Sequence, residues 1–236
     1  MNRNLLIALA AVLVVAGAWY WWQTSETLLE YVPLPPTHFI DSTPSRGEVY
    51  AAQPVNVTLN FNTDLGSDST VTVRSPDGWQ WQQGNIAIED FQTALKAPLK
   101  ANLPDGEYAV DYQACFIDRS CEQGSFPFSI DSSRKSDYQD KRGQKQLTIV
   151  MQEIAFQEPR LIISPGTAVT WVNEDSVGHY VNTETHPEHT YFTDQNSREI
   201  APGKSFTTIF VTPGQYNYHC SAHVPEGMLG SIIVEE

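Results

Sequence analysis

Three side chains with metal-binding chemistry lie close together near the C-terminus, in the segment YNYHCSAHVPEGMLGSIIV. Cys220, His223 and Met228 form a C-x2-H-x4-M array on the loop between two strand-like runs. A copper ion that alternates between Cu(I) and Cu(II) with fixed ligands uses a soft thiolate, imidazoles and a long, weak axial thioether. The array supplies three of those four ligands and predicts a type 1 copper site.

The missing imidazole has to come from a distant part of the chain. The segment WVNEDSVGHYV places His179 just after an apolar strand, which completes a set of two histidines, one cysteine and one methionine. We therefore expect His179, Cys220, His223 and Met228 to bind one copper ion. Two alternatives stay open on the motif alone: a structural zinc site, which also uses C-x2-H spacing, and a buried free cysteine beside two bystanders.

The strand before the array predicts which way its side chains point. Tyr216, Tyr218 and Cys220 alternate along the chain, so they share one strand face and point together into a sandwich core. His219 lies on the opposite face and is expected to point away from the metal. Proline and glycine mark the following turn, and residues 231–234 predict the last strand.

Residues 146–236 resemble a cupredoxin of the plastocyanin, pseudoazurin and halocyanin kind. The matching segments are LIISPGTAVTWVNEDSVGH, IAPGKSFTTIF, GQYNYHC and GMLGSIIV. The resemblance implies a Greek-key β-sandwich in which His179, Cys220 and His223 are equatorial ligands and Met228 is the axial one. It also implies that His223 is the exposed edge through which electrons pass to a redox partner protein.

Length and composition set the wider limits. The 236 residues are enough for two domains of about 100 residues each after an N-terminal segment. Fifteen prolines, fourteen glycines and many short alternating runs predict an all-β chain of two β-sandwich domains. The net charge of −14 repels nucleic acid and favours basic proteins or cations as partners.

The N-terminus predicts export from the cytoplasm. Residues 1–22 carry one arginine, Arg3, followed by an uncharged apolar run that ends in an aromatic cluster. That length and the aromatic end favour a retained membrane anchor over residues 5–22, with cleavage near Ala18 as the alternative. Residues 23–37 then predict a proline-rich tether, and both domains are expected in the periplasm or otherwise outside the cytoplasm.

The three cysteines divide unevenly. Cys115 and Cys121 are six residues apart, and an oxidising compartment allows them to form a disulfide. Cys220 is then left unpaired and available for metal.

Residues 38–131 show short strand patterns separated by turn signals, and they predict a small β-sandwich. They resemble the bacterial copper-resistance CopC family, on the segments HFIDSTPSRGEVYAAQPVNVTLNFNTDL, PLKANLPDGEYAVDYQA and GSFPFSI. The resemblance implies an immunoglobulin-like sandwich.

The same residues depart from that family where its metal site would lie. The family's Cu(II) site uses an N-terminal histidine with its free amine and an Asp-Gly-His segment before the last strand. Here His38 is internal, and the later segment reads Asp118-Arg119-Ser120-Cys121. We therefore expect this domain to be a scaffold or docking module that does not bind Cu(II) tightly.

Two other segments carry weaker signals. Residues 132–145 hold five basic residues and predict a solvated linker. The loop VNTETHPEHTYFTD holds His186 and His189 together with Glu184 and Glu188. These side chains can form a second site for a hard or borderline metal, and an exposed polar loop without metal is the favoured alternative.

These observations favour one-electron transfer by a membrane-tethered blue copper protein. The alternative is copper binding, delivery or resistance, with a copper acceptor as the partner. Catalysis is not expected, because multicopper oxidases and copper nitrite reductases need additional copper centres bound by histidine clusters between cupredoxin domains. A histidine-brace oxygenase would need His38 as a free N-terminus.

Overall fold

Short strands with alternating apolar residues make up nearly all of the regular secondary structure in the described chain. The computed structural model describes residues 38–89 and 92–236, so the predicted anchor at 1–22 and the tether at 23–37 lie outside the described residues. No helix in the described ranges is long and apolar enough to span a membrane.

Two four-stranded sheets form the first sandwich. Its strands are β1 (Phe39–Thr43), β2 (Val49–Tyr50), β3 (Asn56–Phe61), β4 (Thr70–Arg74), β5 (Ala87–Glu89), β6 (Ala94–Pro98), β7 (Gly106–Cys115) and β8 (Cys121–Ile130). The sheet orders are β1-β3-β6-β5 and β2-β8-β7-β4. Leu59 and Phe61 from one sheet pack against Tyr108, Phe126 and Phe128 from the other, which confirms the predicted sandwich core.

A disulfide between Cys115 and Cys121 joins the ends of β7 and β8. The two residues are a cross-strand pair at the end of the longest antiparallel pairing in the first sandwich. The predicted disulfide is therefore confirmed, and Cys220 is the free cysteine.

A four-stranded and a five-stranded sheet form the second sandwich. Its strands are β9 (Gln139–Asp140), β10 (Gln146–Gln152), β11 (Ala155–Phe156), β12 (Arg160–Ile163), β13 (Thr167–Asn173), β14 (Asn182–Thr183), β15 (Ser205–Phe210), β16 (Gly214–His219) and β17 (Leu229–Val234). The sheet orders are β11-β10-β13-β15 and β14-β16-β17-β12-β9. Trp171 and Phe210 from the first of these sheets pack against Tyr216 and Tyr218 from the second.

The segment predicted as a linker has regular structure. A 3-10 helix covers Ser132–Asp137, and the side chain of Asp131 caps it by accepting a hydrogen bond from the N–H of Ser133. Strand β9 then pairs in parallel with β12. The segment is largely exposed, as a solvated linker is, but its strand extends the edge of the second sandwich.

Polar contacts join the two sandwiches at the start of β16. The side-chain oxygen of Gln215 accepts hydrogen bonds from the N–H groups of Ala51 and Ala52, at 2.8 and 3.0 Å. Val55, the residue before β3, packs against the second core and donates its N–H to the hydroxyl of Tyr191 at 2.7 Å. The first sandwich therefore supports the strand that leads to Cys220.

Candidate metal centre

Cys220 directly follows strand β16, and its side chain lies in the core of the second sandwich. Tyr216, Tyr218 and Cys220 are all buried in the same apolar cluster, as their alternation predicts. Met228 is also buried in this cluster. The thiol therefore lies at one end of the sandwich core, shielded from water.

The loop after Cys220 is fixed by its own backbone hydrogen bonds. The N–H of His223 donates to the carbonyl of Cys220 at 2.9 Å, and the N–H of Met228 donates to the carbonyl of His223 at 3.2 Å. The N–H of Cys220 donates in turn to the carbonyl of Met228 at 3.0 Å. These bonds close the loop and hold the three predicted ligands at one end of the sandwich.

The loop after β13 brings His179 to the same place. Asn173, the last residue of β13, donates its side-chain amide to the carbonyls of Val177 and Ile200, each at 2.7 Å. Backbone hydrogen bonds between His179 and Ile200 then fix the histidine, which is fully buried. A distant segment thus places the imidazole of His179 near Cys220.

The distances among the ligand atoms suit a metal ion. The Sγ atom of Cys220 lies 3.3 Å from Nδ1 of His223 and 3.7 Å from Nδ1 of His179. A metal about 2.3 Å from sulfur and about 2.0 Å from each nitrogen would separate sulfur and nitrogen by about 3.5 to 3.8 Å. The three side chains therefore need only small shifts to bind one ion.

Asp175 fixes the ring of His179, a role that the sequence analysis missed. Its Oδ2 atom lies 2.8 Å from Nε2 of His179, which leaves Nδ1 facing Cys220. Burial raises the pKa of Asp175. Hydrogen bonds to its carboxylate, from the N–H groups of Ile154 and Glu153 and from the His179 ring, lower the pKa by more, so it lies below its usual value. A carboxylate bound to the second ring nitrogen of a metal-binding histidine is a common arrangement. Asp175 lies four residues before His179, and this spacing was the signal in the sequence.

A backbone group also contacts the sulfur. The N–H of Tyr180 donates to Sγ of Cys220 at 3.3 Å. Hydrogen bonds around the cysteine sulfur are one of the features that set the reduction potential of type 1 copper sites.

The outer side of the centre is apolar and partly open. His223 is half-buried, whereas the next residue, Val224, is 36% exposed. Ala222 and Pro225 are exposed as well. The ring of His223 thus reaches the surface within an apolar rim.

A second group of imidazoles lies on the other face of β16. His186, His189 and His219, here called the histidine trio, place one nitrogen each within 4.8 Å of one another. His219 points away from Cys220, as predicted, but it is buried rather than in solvent. Burial lowers the pKa of His189 to about 4 and that of His219 to about 4.

Glu184 does not join these histidines. Its pKa is raised to about 7, first by burial and then by the charge of Glu48. Glu48 accepts a hydrogen bond from the side-chain amide of Asn217 at 2.8 Å. The carboxylate predicted beside His186 therefore lies at the contact between the sandwiches.

His38 and Asp118 have local partners in the first sandwich. Nδ1 of His38 lies 3.0 Å from Oδ1 of Asn62 and 3.0 Å from the hydroxyl of Thr63. Asp118 accepts hydrogen bonds from the N–H and hydroxyl of Ser120. Neither residue belongs to the two metal-type clusters found within residues 38–89 and 92–236.

Two family models match the chain. Residues 39–131 match the CopC domain, and residues 144–235 match the model for copper binding proteins of the plastocyanin/azurin family.

Individual proteins are similar to parts of the chain. A plastocyanin from Scenedesmus fuscus is 32% identical over 93 residues, which cover 35% of this chain and 88% of that protein. A chloroplastic plastocyanin from Tetradesmus obliquus is also 32% identical over 93 residues, again 35% of this chain, which spans 59% of that relative. The crystal structure of CopC from Methylosinus trichosporium is 22% identical, with a TM-score of 0.36 over 41% of this chain and 94% of that chain.

Proposed function

The chain belongs to the plastocyanin/azurin family of copper-binding proteins and carries a CopC domain before that region, and from this we propose that it is a type 1 copper protein for one-electron transfer. In this proposal residues 38–131 form the CopC-like domain, residues 132–145 the linker and residues 146–236 the copper domain.

The observation that carries the proposal is the approach of three buried or half-buried ligand side chains to one point. His179, Cys220 and His223 would hold copper as its strong ligands, and Met228 would be a weak fourth ligand. Copper supplies the one-electron chemistry. The backbone bonds of the loop and the Asp175 contact fix the ligands beforehand, so that little rearrangement accompanies a change of oxidation state.

The surface around His223 supports exchange with a partner protein. Ala222, Val224 and Pro225 are exposed apolar residues on the same loop as the half-buried imidazole. An apolar rim can desolvate on contact and bring a redox partner close to the ring edge. The acidic charge of the whole chain favours a partner with a basic surface.

We place this activity outside the cytoplasm, on the basis of the N-terminal segment. Residues 5–22 would anchor the chain to the cytoplasmic membrane, or be removed near Ala18. The disulfide between Cys115 and Cys121 supports an oxidising compartment.

Copper capture and delivery is the second candidate function, and the CopC match favours it. In that function the partner would be a protein that accepts copper rather than an electron. Both candidates are binding and transfer roles rather than catalysis.

The optical and electron paramagnetic resonance (EPR) spectra of the copper-loaded chain test the proposed site. A thiolate-to-copper charge-transfer band is expected to make the protein blue or green, and Cys220→Ser is expected to abolish the band. Ser221→Ala, a similar change at the next residue, should keep it. An unchanged band in Cys220→Ser would refute the assignment.

A further inference from the structure

We propose that the histidine trio of His186, His189 and His219 binds a second metal ion, a borderline divalent cation with Cu(II) preferred. Imidazole nitrogen suits copper and zinc, and Cu(II) binds most tightly among the divalent first-row metals. This site goes beyond the proposed electron-transfer function and does not depend on it.

The nitrogen atoms of the trio are spaced as ligands of one ion. Nε2 of His189 lies 3.3 Å from Nδ1 of His186 and 3.1 Å from Nε2 of His219. Metal–nitrogen bonds of about 2.0 to 2.1 Å place neighbouring ligands about 2.9 Å apart at right angles and about 3.4 Å apart in a tetrahedron. The two measured separations lie between these values, and the third pair of nitrogens lies within 4.8 Å.

Hydrogen bonding alone does not satisfy this arrangement. Nε2 of His189 faces two imidazole nitrogens and, at 3.2 Å, the hydroxyl of Ser221. A neutral imidazole nitrogen either donates one hydrogen or offers one lone pair, so it can make a full hydrogen bond to only one of these three partners. A cation at the centre of the trio would instead accept a lone pair from each ring.

The loop that carries His186 and His189 is held in place. His189 has a left-handed backbone (φ 54°), with its N–H bonded to the carbonyl of Thr185 and its carbonyl to the amide of Asn196. The next residue, Thr190, donates its hydroxyl to the buried Asn60 of the first sandwich at 2.7 Å. The first sandwich therefore helps to position two of the three ligands.

The site also has an open side. His219 is buried and His189 half-buried, whereas His186 is exposed on the loop. Three protein ligands with a solvent-facing position allow an ion to enter and leave room for water as a further ligand. His219 directly precedes Cys220, so one peptide unit links the ligands of the two sites.

Copper counting on the full chain tests this site. After metal removal, reloading with excess Cu(II) and dialysis, we expect two copper ions per chain. The EPR spectrum should contain a second Cu(II) signal split by imidazole nitrogens, with no additional visible charge-transfer band.

The variant His186→Ala/His189→Ala should bind one copper and lose the second EPR signal. Its affinity at the second site should fall by more than about 100-fold, because it loses two ligands outright. The charge-transfer band should be unchanged, which also shows that the variant is folded. Glu188→Gln, an exposed change on the same loop, and His38→Ala, which removes a histidine elsewhere, should retain both ions.

A single copper per wild-type chain, or a second copper that the double variant keeps, would overturn the proposal. If Cys220→Ser loses the charge-transfer band but keeps one copper at the histidine trio, the second site binds its ion independently of the type 1 site.

Discussion

At the scale of single residues, His179 shows how one ring can serve two partners. Its Nδ1 atom faces the sulfur of Cys220, and its Nε2 atom is bound by Asp175 at 2.8 Å. The carboxylate fixes the tautomer and makes the ring a better electron donor. We infer that Asp175 strengthens copper binding without touching the metal.

The variant Asp175→Asn tests this role. Copper affinity should fall by about 10- to 100-fold, and the reduction potential should rise because a poorer donor stabilises Cu(II) less. Competition with a chelator and a potential titration measure the two effects. Glu174→Gln, at the exposed carboxylate next in the chain, is the matched control, and equal effects of both variants would contradict the assigned role.

Met228 allows a second test at this scale. Met228→Leu should keep copper bound and raise the reduction potential, because loss of the weak axial donor destabilises Cu(II) more than Cu(I). Met151→Leu, at a buried methionine of the same core, should leave the potential unchanged. His179→Ala should cause much greater loss of copper, and equally mild effects of the Met228 and His179 changes would exclude both as ligands.

Residue type and spacing predicted four candidate copper ligands, and the structure brings three of them, His179, Cys220 and His223, together. The sequence did not predict the role of Asp175 or the entry of His219 into the trio. Those contacts depend on how the loop after β13 and the loop of His186 fold back on the sheet. Neither has a periodic pattern.

At the scale of elements, β16 separates two chemical environments. Tyr216, Tyr218 and Cys220 point into the core, whereas His219 points to the opposite face and Gln215 contacts the first sandwich. The strict alternation of a strand makes this separation, and it was predictable from sequence. The contact with the first sandwich was not, because a single buried glutamine carries no recognisable pattern.

Glu184 makes the stability of this region depend on pH. Its pKa of about 7 in the folded chain exceeds the usual 4.5, so folding favours the protonated form. This stabilisation is fully present below pH 4.5 and is lost as the pH rises through 7. For the metal-free protein, we expect the free energy of unfolding to fall over that range by about 3 kcal/mol from this group.

Glu184→Gln, which is neutral at every pH, should remove this part of the pH dependence. Chemical denaturation of both proteins at several pH values measures it. Glu188→Gln, at the exposed carboxylate of the same loop, should follow the wild-type curve. If the free energy of unfolding of Glu184→Gln changed with pH as it does in the wild type, the buried carboxyl would not be the cause of the pH dependence.

At the scale of the described molecule, two sandwiches share polar contacts along one side of β16. The all-β class and the two sandwiches followed from short alternating runs and turn signals. The association of the sandwiches did not, because Gln215 and Asn217 make it through side chains that look ordinary in the sequence. It gives the CopC domain a structural role beside the two candidate metal sites.

The first sandwich is expected to bind no copper tightly itself. A full chain with His179→Ala, Cys220→Ser, His186→Ala and His189→Ala should lose its copper to a competing chelator, because His38 and Asp118 offer too few donors for a Cu(II) plane. Retention of the β-sheet circular dichroism would show that the variant is folded. Tight retention of one copper would place a site in the first sandwich and favour copper delivery.

Repeated reduction and reoxidation of the copper-loaded chain, with a Cu(I) chelator present, tests the central claim most directly. An electron carrier should show a reversible one-electron couple and keep its type 1 copper through every cycle, because its ligands are fixed in advance. Transfer of that copper to the chelator on the first reduction would contradict electron transfer and identify the chain as a carrier of copper.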